Sequence, residues 1–232
     1  GFWAHDRAEE RVAFERFMDF VTERRRRFPN AHVYHYASYE ETALKRLASL
    51  HATREVEMDD MLRRGVLVDL YKVVREAIRI SEASYSIKYV EHFYRPAREG
   101  GVQNAGASIV YYERWRETGE QSLLDDIESY NRDDVESTQQ LHAWLLSLRP
   151  ADLPWRSAGE QGGGASTEDA KSDAVRAIEE RLAAYRGRLV DPLPPYPLVW
   201  TPQHRAQELT FQLLDFHRRA AKPEWWAVFS RM

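Results

Sequence analysis

The chain has 232 residues, of which 43% are hydrophobic, 12% aromatic and 30% charged; this balance excludes an intrinsically disordered chain and suffices for one sizeable core with a smaller appendage. With no cysteine, disulfides, thiolate zinc sites and cysteine nucleophiles are excluded, and any metal must sit on oxygen or imidazole. Lys+Arg 33 against Asp+Glu 37 gives a formal net charge of -4, so the overall field does not draw in a polyanion and a local basic stripe or a metal would have to do so.

In chain order, Glu9 to Arg27 places Val12, Phe14, Phe17, Phe20 and Val21 at helical spacing before Pro29-Asn30, which predicts a helix that stops there. Its last turn, Arg24-Arg25-Arg26-Arg27, reads either as a nucleic-acid contact or as a solvated face set against the negative end of the helix dipole. Ala31 to Tyr36 has the length and composition of a buried strand. Tyr39 to Leu50 predicts a helix with Ala43, Leu44, Leu47 and Leu50 inward and Glu40 and Glu41 in the first turn. A polar connector leads to Gly65 to Leu70, a near-continuous apolar run expected to be a strand covered on both faces. Tyr85 to Phe93 predicts a short helix, Gly100 to Gly106 a loop, and Ser108 to Thr118 and Leu123 to Leu148 two further helices.

Composition shifts at Arg149-Pro150, and the glycine-rich stretch to Ser172 reads as a linker. Beyond it, Asp173 is expected to cap a helix through Tyr185 closed by Gly187, Pro192 to Pro197 to be extended, and Thr201-Pro202 to open a last helix to about Ala221. The predicted domains are 1–149, a linker at 150–172 and a helical extension at 173–232. Alternation of strand and helix predicts an α/β fold. There is neither a run of roughly 18 apolar residues nor a basic-then-apolar leader, so the expectation is a soluble, cytoplasmic chain with no membrane partner.

The segment richest in chemistry is Ser129 to Thr138, where Tyr130 and Asp134 stand one helical turn apart and share a face. A phenol can position a water while a carboxylate holds a metal; a helix surface with a half-buried tyrosine is the plainer reading. His35 ends a strand, and Asp69 lies in an apolar run where a buried carboxylate needs partners; it is read as structural in preference to lying near a metal. Lys88 is read as a phosphate contact or as a helix-surface lysine, and Asp125, Asp126 and Asp133 as solvated. The tail aromatics Trp200, Phe211, Phe216, Trp225, Trp226 and Phe229, interleaved with Arg205, Arg218, Arg219 and Lys222, read as core or docking surface in preference to a strand-stacking platform.

Tyr130-Asn131-x-x-Asp134-Val135 resembles the third motif of the DEDD exonuclease superfamily, whose fold is that of ribonuclease H. His35-Tyr36-Ala37-Ser38-Tyr39-Glu40 resembles a second, with His35 in the place of an Asn and Glu40 in that of an Asp. Together with Val68-Asp69-Leu70, Tyr85-Ser86-Ile87-Lys88 and Ala143-Trp144-Leu145, about residues 1 to 149 are similar to the YprB-type ribonuclease H-like domains of predicted RecB-like nucleases. The resemblance implies a mixed sheet flanked by helices, here incomplete at its N-terminal strands and carrying a helical C-terminal extension. It implies 3'-5' exonuclease-like phosphodiester hydrolysis on nucleic acid, DNA favoured over RNA, within a larger protein whose helicase region would follow Leu213 to Trp226. Glu40 and Asp134 would ligate Mg²⁺ or Mn²⁺, Tyr130 would orient the attacking water, His35 would support the site, and Lys88 and Arg132 would contact the strand.

The family's Asp-x-Glu motif on its first strand has no counterpart in this sequence. Two divalent ions about 4 Å apart need oxygen ligands from several elements, so the chain is expected to be inactive or weakly active alone. A non-catalytic nucleic-acid-binding or interaction module is the other reading, and an open sheet edge would favour a homodimer.

Overall fold

The computed structural model describes residues 1–96, 105–154 and 165–229. Among them the chain is mostly helical: α1 (Arg7–Arg27), α2 (Tyr39–His51), α3 (Glu55–Arg63), α4 (Leu70–Ala77), α5 (Ile87–Val90), α6 (Ala105–Thr118), α7 (Gln121–Leu148), α8 (Ala165–Leu189), α9 (Pro202–Leu213) and α10 (Phe216–Phe229). Two strands, β1 (Val33–His35) and β2 (Leu67–Asp69), pair in one sheet. The expected mixed sheet is therefore reduced, among the described residues, to two parallel strands of three residues each. A pair that short is not stable alone, and helices supply most of the burial.

Several boundaries differ from the sequence reading for identifiable reasons. The polar connector contains α3, because Glu55 and Glu57 fill its first turn while Met58 and Met61 turn inward. The Gly65 to Leu70 run ends its strand at Asp69, whose side chain accepts from the Tyr71 N–H at 2.9 Å and starts α4. Of the expected loop, residues 100–104 lie outside the described residues and α6 begins at Ala105. Helix α8 begins at Ala165, ahead of Asp173, and passes through Gly187 to Leu189. The predicted last helix is two: α9 ends at Leu213, and Asp215 takes φ 56 before α10 begins. Left-handed backbone at a non-glycine residue breaks a helix, and aspartate is among the few side chains that accept it readily.

The chain divides into two compact units. One comprises Gly1, Tyr34–Ala37 and Asp69–Trp155, and the other Phe2–Val33, Ser38–Val68 and Arg156–Met232. In the first, Leu70, Val74, Val90, Leu123, Leu124, Ile127 and Leu141 are buried, and α6 packs along α7.

In the second unit, Phe14, Met18 and Val21 of α1 form a core with Ala48, Met58, Met61, Val66 and Trp226. The helix stripe is therefore Phe14, Met18 and Val21, while Val12 and Phe20 of the predicted stripe point outward. A second cluster joins Ala52, Leu182 and Phe211. Ala52 closes α2 with φ 48, and the Arg186 guanidinium, buried on α8, donates to the carbonyls of His51 and Ala52. It thereby satisfies carbonyls that a helix end leaves without partners.

Glu55, 1% exposed, accepts from Arg218 and lies 3.8 Å from Lys222. Its backbone N–H donates to Glu179 at 2.8 Å. Burial, together with the nearby charges of Glu55 and Glu57, pushes the Glu179 carboxyl up to about 7, against the opposing Glu55 N–H bond and Arg176. A carboxyl raised from 4.5 stabilises the fold most below 4.5 and loses that contribution as pH rises through 7, because only the folded form holds the proton in between. Urea unfolding between pH 4.5 and 7.5 should show stability falling as pH rises, a trend removed in Glu179→Gln.

Candidate functional site

Helix α7 is the long element of the first unit. Its inward stripe runs through Tyr130, Asp134, Ser137 and Leu141, residues three and four apart that share one face. Ser137 and Leu141 are fully buried, and Tyr130 and Asp134 are half-buried. The helix thus brings together the phenol and carboxylate singled out in the sequence. The Asp134 carbonyl accepts from the Thr138 hydroxyl at 2.9 Å, a bond within the helix.

One turn further, the Ser137 hydroxyl donates to Glu91 at 3.3 Å and lies 2.9 Å from the Tyr94 hydroxyl. Glu91 is 5% exposed, on the short helical turn after α5. Arg95 binds both the carboxylate and the carbonyl of Asp133, so Asp133 is half-buried and ion-paired, contrary to the expectation that it is solvated. Near the end of α7, Trp144 stacks on Phe93 at 5.9 Å and meets the Tyr94 ring at the same distance, tilted by 36°. Glu91 was missed because its acidity is hidden in a segment too short to show a period. The clue to Ser137 was the continuation of the Tyr130 and Asp134 spacing.

His35 ends β1 in the same unit and is buried. Its Nδ1 lies 2.6 Å from the Ala37 carbonyl, and a carbonyl only accepts, so Nδ1 carries the hydrogen. The chain then turns at Ala37, φ 69, and the Ala37 N–H donates to Asp69 at 2.8 Å. One carboxylate therefore caps α4 and holds the turn that follows β1, which is the structural role the sequence reading preferred for Asp69. The Tyr36 hydroxyl donates to the Tyr85 carbonyl and its ring meets that of Tyr71 edge-on at 5.6 Å. Burial first, then Tyr94, Tyr71 and Asp69, raise the Tyr36 phenol above its ordinary range, so it stays protonated and donating.

Lys88 is exposed on α5, and Arg132 is exposed on α7 with Glu128 at 3.2 Å. Glu40 belongs to the second unit, exposed in the first turn of α2.

Among the described residues no three His, Asp or Glu side chains are grouped to hold a metal ion. Asp134 with a helical Tyr is not by itself a donor set for Mg²⁺ or Mn²⁺, which want several converging oxygens. The described residues therefore do not fit a two-ion centre as they stand. Among them no helix is long and apolar enough to cross a membrane.

No curated protein and no solved structure gives a match. The family RNase_H_2, of the RNase H superfamily, matches residues 2–146, which spans α1 through nearly all of α7. On that coverage of more than half its length, the chain belongs to the RNase H superfamily.

Proposed function

We propose that this chain is part of a nuclease hydrolysing phosphodiester bonds in nucleic acid, DNA favoured over RNA, by a metal-dependent exonuclease-type reaction. What carries the reading is the pairing of Tyr130 and Asp134 on the inward stripe of α7, within a family match that ends only at residue 146. Asp134 and Glu40 would be its contribution of carboxylates toward Mg²⁺ or Mn²⁺, with Tyr130 and His35 as polar groups toward the reacting phosphate. Lys88 and Arg132, both exposed, suit contact with the strand. The domain boundary at 149, the helicase region expected to follow the 173–232 extension, and a homodimer through the open edge of the β1–β2 pair belong to the same proposal.

Because no metal-holding group occurs among the described residues, the chain alone should give little or no Mn²⁺-stimulated hydrolysis of a labelled single strand. Calorimetric titration with Mn²⁺ should show weak binding that disappears in Asp134→Asn. Strong hydrolysis abolished by Asp134→Ala would overturn the expectation of weak activity. The same absence favours a second reading, a non-catalytic nucleic-acid-binding or interaction module. Strand binding indifferent to chelator, with no Mn²⁺ heat, would support that reading over the nuclease.

A further inference from the structure

The second unit holds a cleft of about 1000 Å³ that the nuclease reading does not use. It is lined by residues of α1, α3, α8 and α10. Its floor is apolar, with Val56, Met61, Val175 and Ile178. One end is arginine-rich: Arg25 and Arg26 come from the last turn of α1, and Arg63 and Arg64 from the end of α3.

Arg25 at 2.8 Å and Arg64 share the single carboxylate of Asp60. Arg26 meets Glu23 at 2.8 Å, with both side chains largely in water, where such a pair is weak and readily exchanged. Elsewhere in the cleft Arg176 pairs with Glu57 at 3.0 Å, Lys222 with Asp59 at 2.6 Å, and Arg218 with both Glu55 and Asp215. Seven of the side chains lining the cleft are cationic and three acidic, an excess of cations in a chain that as a whole carries -4.

We propose that this cleft binds a nucleoside phosphate, its phosphate at the Arg25, Arg26, Arg63 and Arg64 end and its base and sugar over the apolar floor. Three observations select that chemistry. The volume is at the upper end for organic ligands and far exceeds an inorganic anion. The floor offers burial that an inorganic anion or an acidic peptide backbone would not use. The cations at the charged end are all arginine, whose planar fork matches phosphate oxygens two at a time and also stacks on flat rings. The run Arg24 to Arg27 is thereby divided. Arg24 lies over the Phe28 ring at 4.7 Å and Arg27 pairs with Glu23, while Arg25 and Arg26 face the cleft. A free nucleotide and the phosphorylated end of a strand present the same chemistry, and the test separates them.

The test uses the whole chain in EDTA, so that it does not depend on the metal site. Its probes are a fluorescent N-methylanthraniloyl ADP and a fluorescein-labelled 5'-phosphorylated dT12, with inorganic pyrophosphate and polyglutamate as competitors. Both probes should bind and displace each other; tighter ADP assigns the free nucleotide as the source, and tighter dT12 the strand end. Arg26→Glu with Arg64→Glu should weaken both at least tenfold, as should Ala174→Trp, which puts bulk into the cleft from its α8 lining without changing charge. Arg116→Gln, in the other unit, should leave binding unchanged. The proposal is overturned by failure of both probes to bind at millimolar concentration or by binding that survives the cleft substitutions. It is equally overturned if pyrophosphate or polyglutamate competes as well as ADP.

Discussion

Glu55→Gln should lower the unfolding free energy by about 2 kcal/mol, the scale for losing a hydrogen bond between charged groups. The reason is the asymmetry of the site. Glu55 is 1% exposed and Arg218 and Lys222 both turn toward it. Asp215 continues to hold Arg218 and Asp59 continues to hold Lys222, so no cation is orphaned, and what is lost are the charge-assisted contacts to Glu55 from side chains only 22% and 12% exposed. Urea denaturation at pH 8, where Glu179 is mostly ionised in both states, keeps its titration out of the measurement, although relief of its repulsion by Glu55 offsets part of the loss. A midpoint shifted by no more than the error of the measurement would mean that the cations relax outward and that Glu55 contributes little. Glu55→Leu should be closer to wild type than Glu55→Ala, because shape is retained even though the charge is not.

Asp69→Ala should cost about 2 to 3 kcal/mol, a helix cap of about 1 kcal/mol plus a backbone N–H left without its acceptor. Both bonds come from one oxygen, which accepts from Tyr71 and from Ala37. Asp69→Asn should recover most of the loss, since an amide oxygen caps nearly as well as a carboxylate. The discriminating readout is local. Amide exchange at Ala37 and Tyr71 should accelerate in Asp69→Ala beyond the global change. Equal acceleration throughout the chain would show that the turn after β1 is held by other contacts, such as the His35 bond to the Ala37 carbonyl.

The parts of the fold legible in the sequence were those with a local cause. Helix α7 declared itself by its apolar spacing, α1 by its stop at Pro29-Asn30, and α9 by Thr201-Pro202, whose threonine caps through the His204 N–H at 3.2 Å. What escaped depended on distant partners. Helix α3 hides in a polar stretch because Glu55 is answered by Arg218 and Lys222 from α10, far along the chain. The break at Asp215 is set by backbone geometry that no periodicity shows. At the candidate site, helical spacing sufficed to put Tyr130 and Asp134 on one face, and burial by Ser137 and Leu141 identifies that face as inward. Glu91 and Ser137 could not be paired from sequence, since their bond joins residues separated by 46 positions.

The second unit is assembled from three stretches of chain, the last beginning at Arg156, and Trp226 completes a core begun by Phe14. A nascent chain leaving the ribosome therefore presents α1 to α3 long before α8 and α10 exist to cover them. At roughly 5 to 20 residues per second of synthesis, the interval is several seconds or more. During that wait Met18, Met58 and Met61 have no Trp226 to pack on, and the carbonyls at the end of α2 have no Arg186. Holding chaperones, rather than the chain's own helices, would then govern how much of the protein reaches the native state.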